Sequence, residues 1–183
     1  MKNKYPLIKF TYSEILQNYI IKNKISSKEI EKFAKRFKRF YKIKKEKIFK
    51  PLLLFTSLNW KKENIDVWFF SGEYESISDP LLLNINFRNF NFTFFEFINM
   101  LVCNLFSDNS QYFKNVNYLN FSAMSFFITK KVVENIFSEK IVKKLCKKSE
   151  FDGTYKFIWE KEKELEKEWD LNKKPLIEWI KKN

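Results

Sequence analysis

Hydrophobic positions recur at helical spacing in both flanks of the chain and at alternate positions in its middle, which predicts a mostly helical α+β protein. Near the N-terminus, Ile15, Leu16, Tyr19 and Ile20 predict a helix over 11–24, with Thr11 or Ser13 as its cap. Ser26-Ser27-Lys28-Glu29 then reads as a capping box, with Ser26 at the N-cap and Glu29 at the third helical position. Behind it Ile30, Phe33, Ala34, Phe37, Phe40 and Tyr41 form a single i, i+3, i+4, i+7 stripe. This helix is expected to run to about Lys47 and to stop before Pro51, because the residue ahead of a proline is pushed out of helical geometry.

The middle reads as a sheet. Leu83, Ile85 and Phe87 alternate along 81–88, and the doubly apolar run 65–70 is rich in β-formers and suits a central strand. The segment 52–58 reads as a third strand or, alternatively, as a helical turn. With only short polar connections at 59–64 and 71–80, the simplest arrangement is an antiparallel three-stranded meander. Thr93-Phe94-Phe95-Glu96 reads as a second capping box, opening a helix to about Phe106. On that helix Phe97, Ile98, Leu101 and Val102 are expected to bury against Leu83, Ile85 and Phe87.

A short helix is expected over 109–116. Thr129 is expected to cap a helix through Lys148, with Val132, Val133, Ile136, Phe137, Ile141, Val142 and Leu145 as its stripe. Past Gly153, Thr154 opens a helix to Asp170 in which Tyr155, Ile158, Leu165 and Trp169 share a face that Glu162 interrupts. That pattern predicts packing at both ends and an exposed middle, with the run 161–168 as a solvated Lys/Glu face. Asn172 opens a final short helix carrying Leu176, Ile177, Trp179 and Ile180. The organisation is thus a Phe-rich α+β domain over 1–150, including a basic helix at 22–50, and a C-terminal helical extension over 151–183.

Composition narrows the chemistry. Lys, Phe, Ile, Asn, Tyr and Met supply 101 of 183 residues, whereas Gly, Ala, Arg and Pro supply 11, the signature of AT-rich coding. The chain has no His, which removes the commonest general base and every His-containing metal site. Gly72 and Gly153 stand too far apart for a phosphate-cradling loop. Cys103 and Cys146 cannot build a four-cysteine zinc site and read as buried thiols. The expectation is a non-enzymatic protein with no cofactor and no metal. Asp66, Glu73, Glu75 and Asp79 gather around two strands, but without the nearby Lys of a metal-dependent nuclease they read as ordinary turn carboxylates.

The longest apolar runs, 51–55 and 67–70, fall well short of the ~18 residues that a spanning helix needs. No apolar segment follows the charged N-terminus, so the expected location is intracellular, cytoplasmic or in an organelle matrix, and not secreted.

Charge is concentrated. Residues 22–50 carry 13 Lys and Arg against three Glu, which is +10 of a net +13, while 14 of the 22 Phe lie in 51–129. Compositional bias would spread lysines evenly; clustering them among aromatics suits a surface that tracks phosphates and stacks on bases. Lys32, Lys35, Arg36, Lys38, Arg39 and Lys42 are the candidate nucleic-acid contacts, and Trp159, Trp169 and Trp179 the candidate anchors for a partner. Arg36 and Arg39 are two of only three arginines, retained where lysine is favoured, and Arg grips phosphate bidentately.

These features point to a basic RNA-binding structural protein, such as a subunit of an organellar ribosome or another ribonucleoprotein, with a protein partner on its C-terminal helices. Two alternatives share the same evidence. One is a phage or mobile-element protein that inhibits or assists a host nucleoprotein machine, in an anti-CRISPR-like role. The other is a peripheral soluble subunit of a membrane complex, and docking on an anionic membrane would require Phe33, Phe37 and Phe40 to face outward.

Overall fold

A computed structural model describes residues 5–12, 26–71, 77–78, 81–85, 89–150, 155–169 and 175–180. Strand β1 (Leu7–Tyr12) precedes a long helix, α1 (Ser27–Thr56), and then β2 (Asn64–Phe70), β3 (Ile77–Ser78) and β4 (Leu81–Asn84) complete a sheet of order β1-β2-β4-β3. The rest is helical: α2 (Phe90–Asp108), a 3-10 turn (Ser110–Tyr112), α3 (Tyr118–Glu134), α4 (Glu139–Glu150), α5 (Tyr155–Glu168) and α6 (Leu176–Ile180).

The sheet is not the expected antiparallel meander. β1 runs parallel to β2, with Ile8 opposite Ile65, and β2 runs parallel to β4, with Val67 opposite Leu81. Only the two-residue β3 is antiparallel, on the outer edge of β4. The expectation fails because 52–58 is not a strand: all but its end belongs to α1. Besides β4, β2 pairs instead with β1, whose last two residues, Thr11 and Tyr12, fall in the helix expected over 11–24. A helical crossover between β1 and β2 makes the pair parallel. The remainder of the expected N-terminal helix, 13–24, lies outside the described residues.

Pro51 sits inside α1 rather than ending it. It has no N–H to offer the Lys47 carbonyl, and its ring crowds that turn, a cost of about 3 kcal/mol. Leu52, Phe55 and Leu58, which follow at once, are all buried. At about 1.5–3 kcal/mol for each large apolar side chain, their burial outweighs the proline. The helix closes only at Ser57, in the left-handed region at φ 53°, whose N–H donates to the Leu53 carbonyl at 2.8 Å.

Ile65, Val67 and Phe69 face the core from β2, while Asn64 and Asp66 face out. On the inner face, α1 packs against β1 and β2, and α2 against β3 and β4; α3 lies across both helices and α5 lies on α3. The expected burial of Phe97, Ile98, Leu101 and Val102 is met in full, as is that of Leu83 and Ile85, whereas Phe87 lies outside the described residues. Among the described residues α2 is the one helix long and apolar enough to cross a membrane, at mean hydropathy 1.2. Here it is the central core helix, enclosed through Phe94, Ile98, Leu101 and Leu105.

Two expected caps sit elsewhere. α2 begins four residues before the predicted box: Asn89 Oδ1 accepts from the N–H groups of Asn91 and Phe92 at 3.1 and 3.2 Å. Thr93 is buried inside the helix, its hydroxyl turned back to the Asn89 carbonyl at 3.3 Å. Asn89→Ala is therefore expected to cost about 1 kcal/mol, read as a lower thermal midpoint with unchanged helix content. Likewise Thr129 caps nothing. Asn117 caps α3, and the Thr129 hydroxyl bonds back to the Ser125 carbonyl at 2.8 Å, as a mid-helix threonine does. The expected single helix through Lys148 is two, α3 and α4, each burying its part of the stripe.

The largest departure in the C-terminal region is Glu162. It is fully buried rather than exposed, and its Oε1 accepts from Lys130 Nζ at 3.0 Å across the α3–α5 contact. Lys130 and Lys131 also bond the two oxygens of Glu166 at 3.0 and 2.9 Å. The Lys/Glu run 161–168 is thus in part an interhelical clamp.

Candidate nucleic-acid interface

The basic face is built by one helix with two unlike sides. The capping box that opens α1 forms as predicted: Ser26 Oγ accepts from the Glu29 N–H, and Glu29 Oε2 accepts from the Ser26 N–H at 3.0 Å. From that start the apolar stripe turns inward. Ile30, Phe37 and Tyr41 are buried, and Phe33, Ala34 and Phe40 pack half-buried beside them. Burial pushes the Tyr41 hydroxyl's pKa upward.

The opposite side carries the candidate contacts. Lys32, Lys35, Arg36, Lys38, Arg39 and Lys42 are all exposed. At 100° per residue these six positions span an arc of about 160° and a length of about 15 Å. Lys28, Glu31, Lys32, Lys35, Arg36 and Arg39 line an open depression of about 520 Å³.

Two of the six cations already have neighbours. Lys35 Nζ lies 2.7 Å from Glu31 Oε1, and this bond and its charge hold the Glu31 carboxyl below the usual range. Both side chains are mostly exposed, so the pair adds little stability and can open to a competing anion. The Arg36 guanidinium lies 4.4 Å from the centre of the Phe90 ring, a cation–π contact, while the residue as a whole remains exposed. Lys32, Lys38, Arg39 and Lys42 form no ion pair with any described residue.

Pattern reading missed Lys28 and Glu31 as members of this surface. The Glu31–Lys35 spacing of four was a readable signal for the pair; the Phe90 platform was not, since it comes from another element. One expected feature is absent: the aromatics of 22–50 that the structure describes do not share the basic face. Phe33, Phe37, Phe40, Tyr41 and Phe49 are buried or half-buried, so the stacking groups expected beside the lysines are core residues instead.

The other candidates are dispersed. Trp169 is buried in the chain's own core against Phe127, at 5.3 Å between ring centres. The side chains of Trp159 and Trp179 lie outside the described set. Asp66 is exposed on β2, while Glu73, Glu75 and Asp79 lie outside the described residues. Among the described residues no three Cys, Asp or Glu converge as a metal site would require. Cys103 sits between α2 and α3, its sulfur 3.1 Å from Ser125 Oγ, and burial pushes its thiol up, away from a reactive thiolate. Comparison with family models, curated proteins and solved structures finds no match to this chain.

Proposed function

We propose that this protein is a non-enzymatic structural component of a ribonucleoprotein that holds RNA on the exposed basic face of α1. One observation carries the reading: six cations share an exposed half of a rigid helix whose apolar half is committed to the core. Such an array neutralises phosphates and releases their counterions, the main source of affinity for a nucleic-acid backbone. The inward Phe33, Phe37 and Phe40 leave no ring on this face to enter a bilayer, so the same cations favour a nucleic acid over an anionic membrane.

The test is the salt dependence of RNA binding, followed by fluorescence anisotropy of a labelled RNA. With about four phosphates neutralised, affinity should fall by about three log units per tenfold rise in salt. Replacing Lys35, Arg36, Lys38 and Arg39 by Gln should flatten that slope by nearly the same amount and leave the circular dichroism unchanged. Equal affinity and equal slope in the quadruple variant would end the reading.

A further inference from the structure

The RNA-binding reading leaves open which part of the nucleic acid this face holds. Resting on that reading, we propose that α1 binds double-helical RNA through its phosphates alone, without stacking on or reading the bases. Three observations converge on this mode.

The first is the position of the rings. Phe37 lies within 6.1 Å of six other Phe rings, and Phe40 is enclosed by Phe90, Phe94 and Phe137. Phe90, the ring nearest the cations, is covered by Arg36. The exposed large apolar side chains of α1 are the aliphatic Ile43 and Leu54. Proteins that hold single strands depend on open aromatic faces for successive bases, and this face offers none among the described residues.

The second is the kind of polar group present. Between Lys28 and Lys50 the sequence contains no Asn, Gln, Ser, Thr or Asp, so its exposed polar groups are Lys, Arg and Glu. Base edges are read mainly by planar amides, hydroxyls and Arg. Of the two Arg here, Arg36 already lies over the Phe90 ring, and the deep, narrow major groove of A-form RNA excludes side chains from base edges.

The third is rigidity and spacing. At 100° per residue, Lys35, Lys38 and Lys42 fall on one flank of the helix and Lys32 and Arg36 on the other, with Arg39 between them. A duplex presents two phosphate strands at fixed separation, which two flanks of a rigid helix can meet together. A single strand would have to be ordered to match, and that ordering lowers affinity.

The experiment uses the full chain and measures Kd at one salt concentration for labelled 20-base-pair RNA duplexes of two unrelated sequences. A DNA duplex of one of those sequences and 20-nucleotide poly(U) and poly(A) strands complete the set. The two RNA duplexes should agree within about twofold, the DNA duplex should lie within about threefold of its RNA counterpart, and both single strands should bind about tenfold or more weakly. The quadruple Gln variant should lose binding to both kinds of duplex. A single strand binding as tightly as the duplexes would overturn the proposal, as would a tenfold difference between the two RNA sequences. A tenfold preference for RNA duplex over DNA would reveal contacts to the 2′-hydroxyl and overturn the phosphate-only mode. In each of these cases RNA binding itself stands, whereas absence of binding to every probe would end that reading too.

Discussion

Phe37→Ala is expected to cost about 3–5 kcal/mol, a large share of the 5–15 kcal/mol that typically separates a folded domain from its unfolded chain. Phe37 is fully buried where four elements meet. Its ring lies 5.7 Å from Phe10 on β1, 5.2 Å from Phe69 on β2, and 5.2 and 5.3 Å from Phe94 and Phe97 on α2. Phe33 and Phe90 close the cage at 6.1 and 5.7 Å. Tilted and edge-on pairs of this kind add about 0.5–1.5 kcal/mol each beyond the area they bury. Rings anchored on separate elements cannot close the space left by truncation, so the cavity persists. Urea unfolding should show a lower midpoint with an unchanged slope, and Phe37→Leu should lose less than half as much. A midpoint unmoved by Phe37→Ala would mean that this cluster does not hold β1, β2 and the two helices together.

The second large effect is expected at the α3–α5 clamp. Lys130→Met should destabilise by about 3–5 kcal/mol, because it strands the buried Glu162 carboxylate without its cation. Glu162 Oε2 has no hydrogen-bond partner even in the intact clamp, so Lys130 supplies the bond that Oε1 accepts. Burial pushes Glu162 upward against the pull of Lys130. For Lys130, burial works against the charge, but bonds to Glu166 and Glu162 outweigh it and raise the ammonium. Both shifts are upward but favour opposite charge states: bonds to two carboxylates favour the charged Lys130, whereas burial with an unpartnered oxygen favours the neutral Glu162.

The double variant Lys130→Met, Glu162→Leu should recover most of the loss, since an apolar pair of similar size replaces a desolvated ion pair without penalty. Linkage sets a further sign. A carboxyl held above its unfolded value contributes most below the usual carboxylate range and loses that share as pH rises through the raised value. Glu162→Gln should therefore match the parent near pH 4 and gain on it toward neutrality. Thermal melts of the four proteins would decide. A mild Lys130→Met, or a double variant no better than the single, would show that the clamp is not desolvated.

Much of α1 was readable from the chain because the information is local. Ser26 and Glu29 stand one helical turn apart, and the Ile30 to Tyr41 stripe recurs every three or four residues. Both features operate within a single helix, whatever packs against it. The same holds for the six exposed cations, whose placement follows once the stripe is turned inward, and for Phe97, Ile98, Leu101 and Val102 on α2. The caps at Thr93 and Thr129 were misread for a related reason. Many Ser, Thr, Asn and Asp residues can cap, and which one does depends on where the chain enters the helix. Asn89 and Asn117 lie at those entries.

Local order along the chain is enough to set the helical periodicity and the apolar and basic sides of α1, and composition alone excludes any site that needs a His. Relations between residues far apart in the chain depend instead on the assembled core. β1 pairs with β2 across 51 intervening residues and sets the pair parallel. Pro51 stays inside α1 because the core gains Leu52, Phe55 and Leu58. Glu162 goes inside because Lys130, 32 residues away, meets it there. The aromatics of the basic helix face rings from β1, β2 and α2 rather than a ligand. Periodicity records which side of an element is apolar, but the partner that covers that side is chosen by the energy of the assembled core.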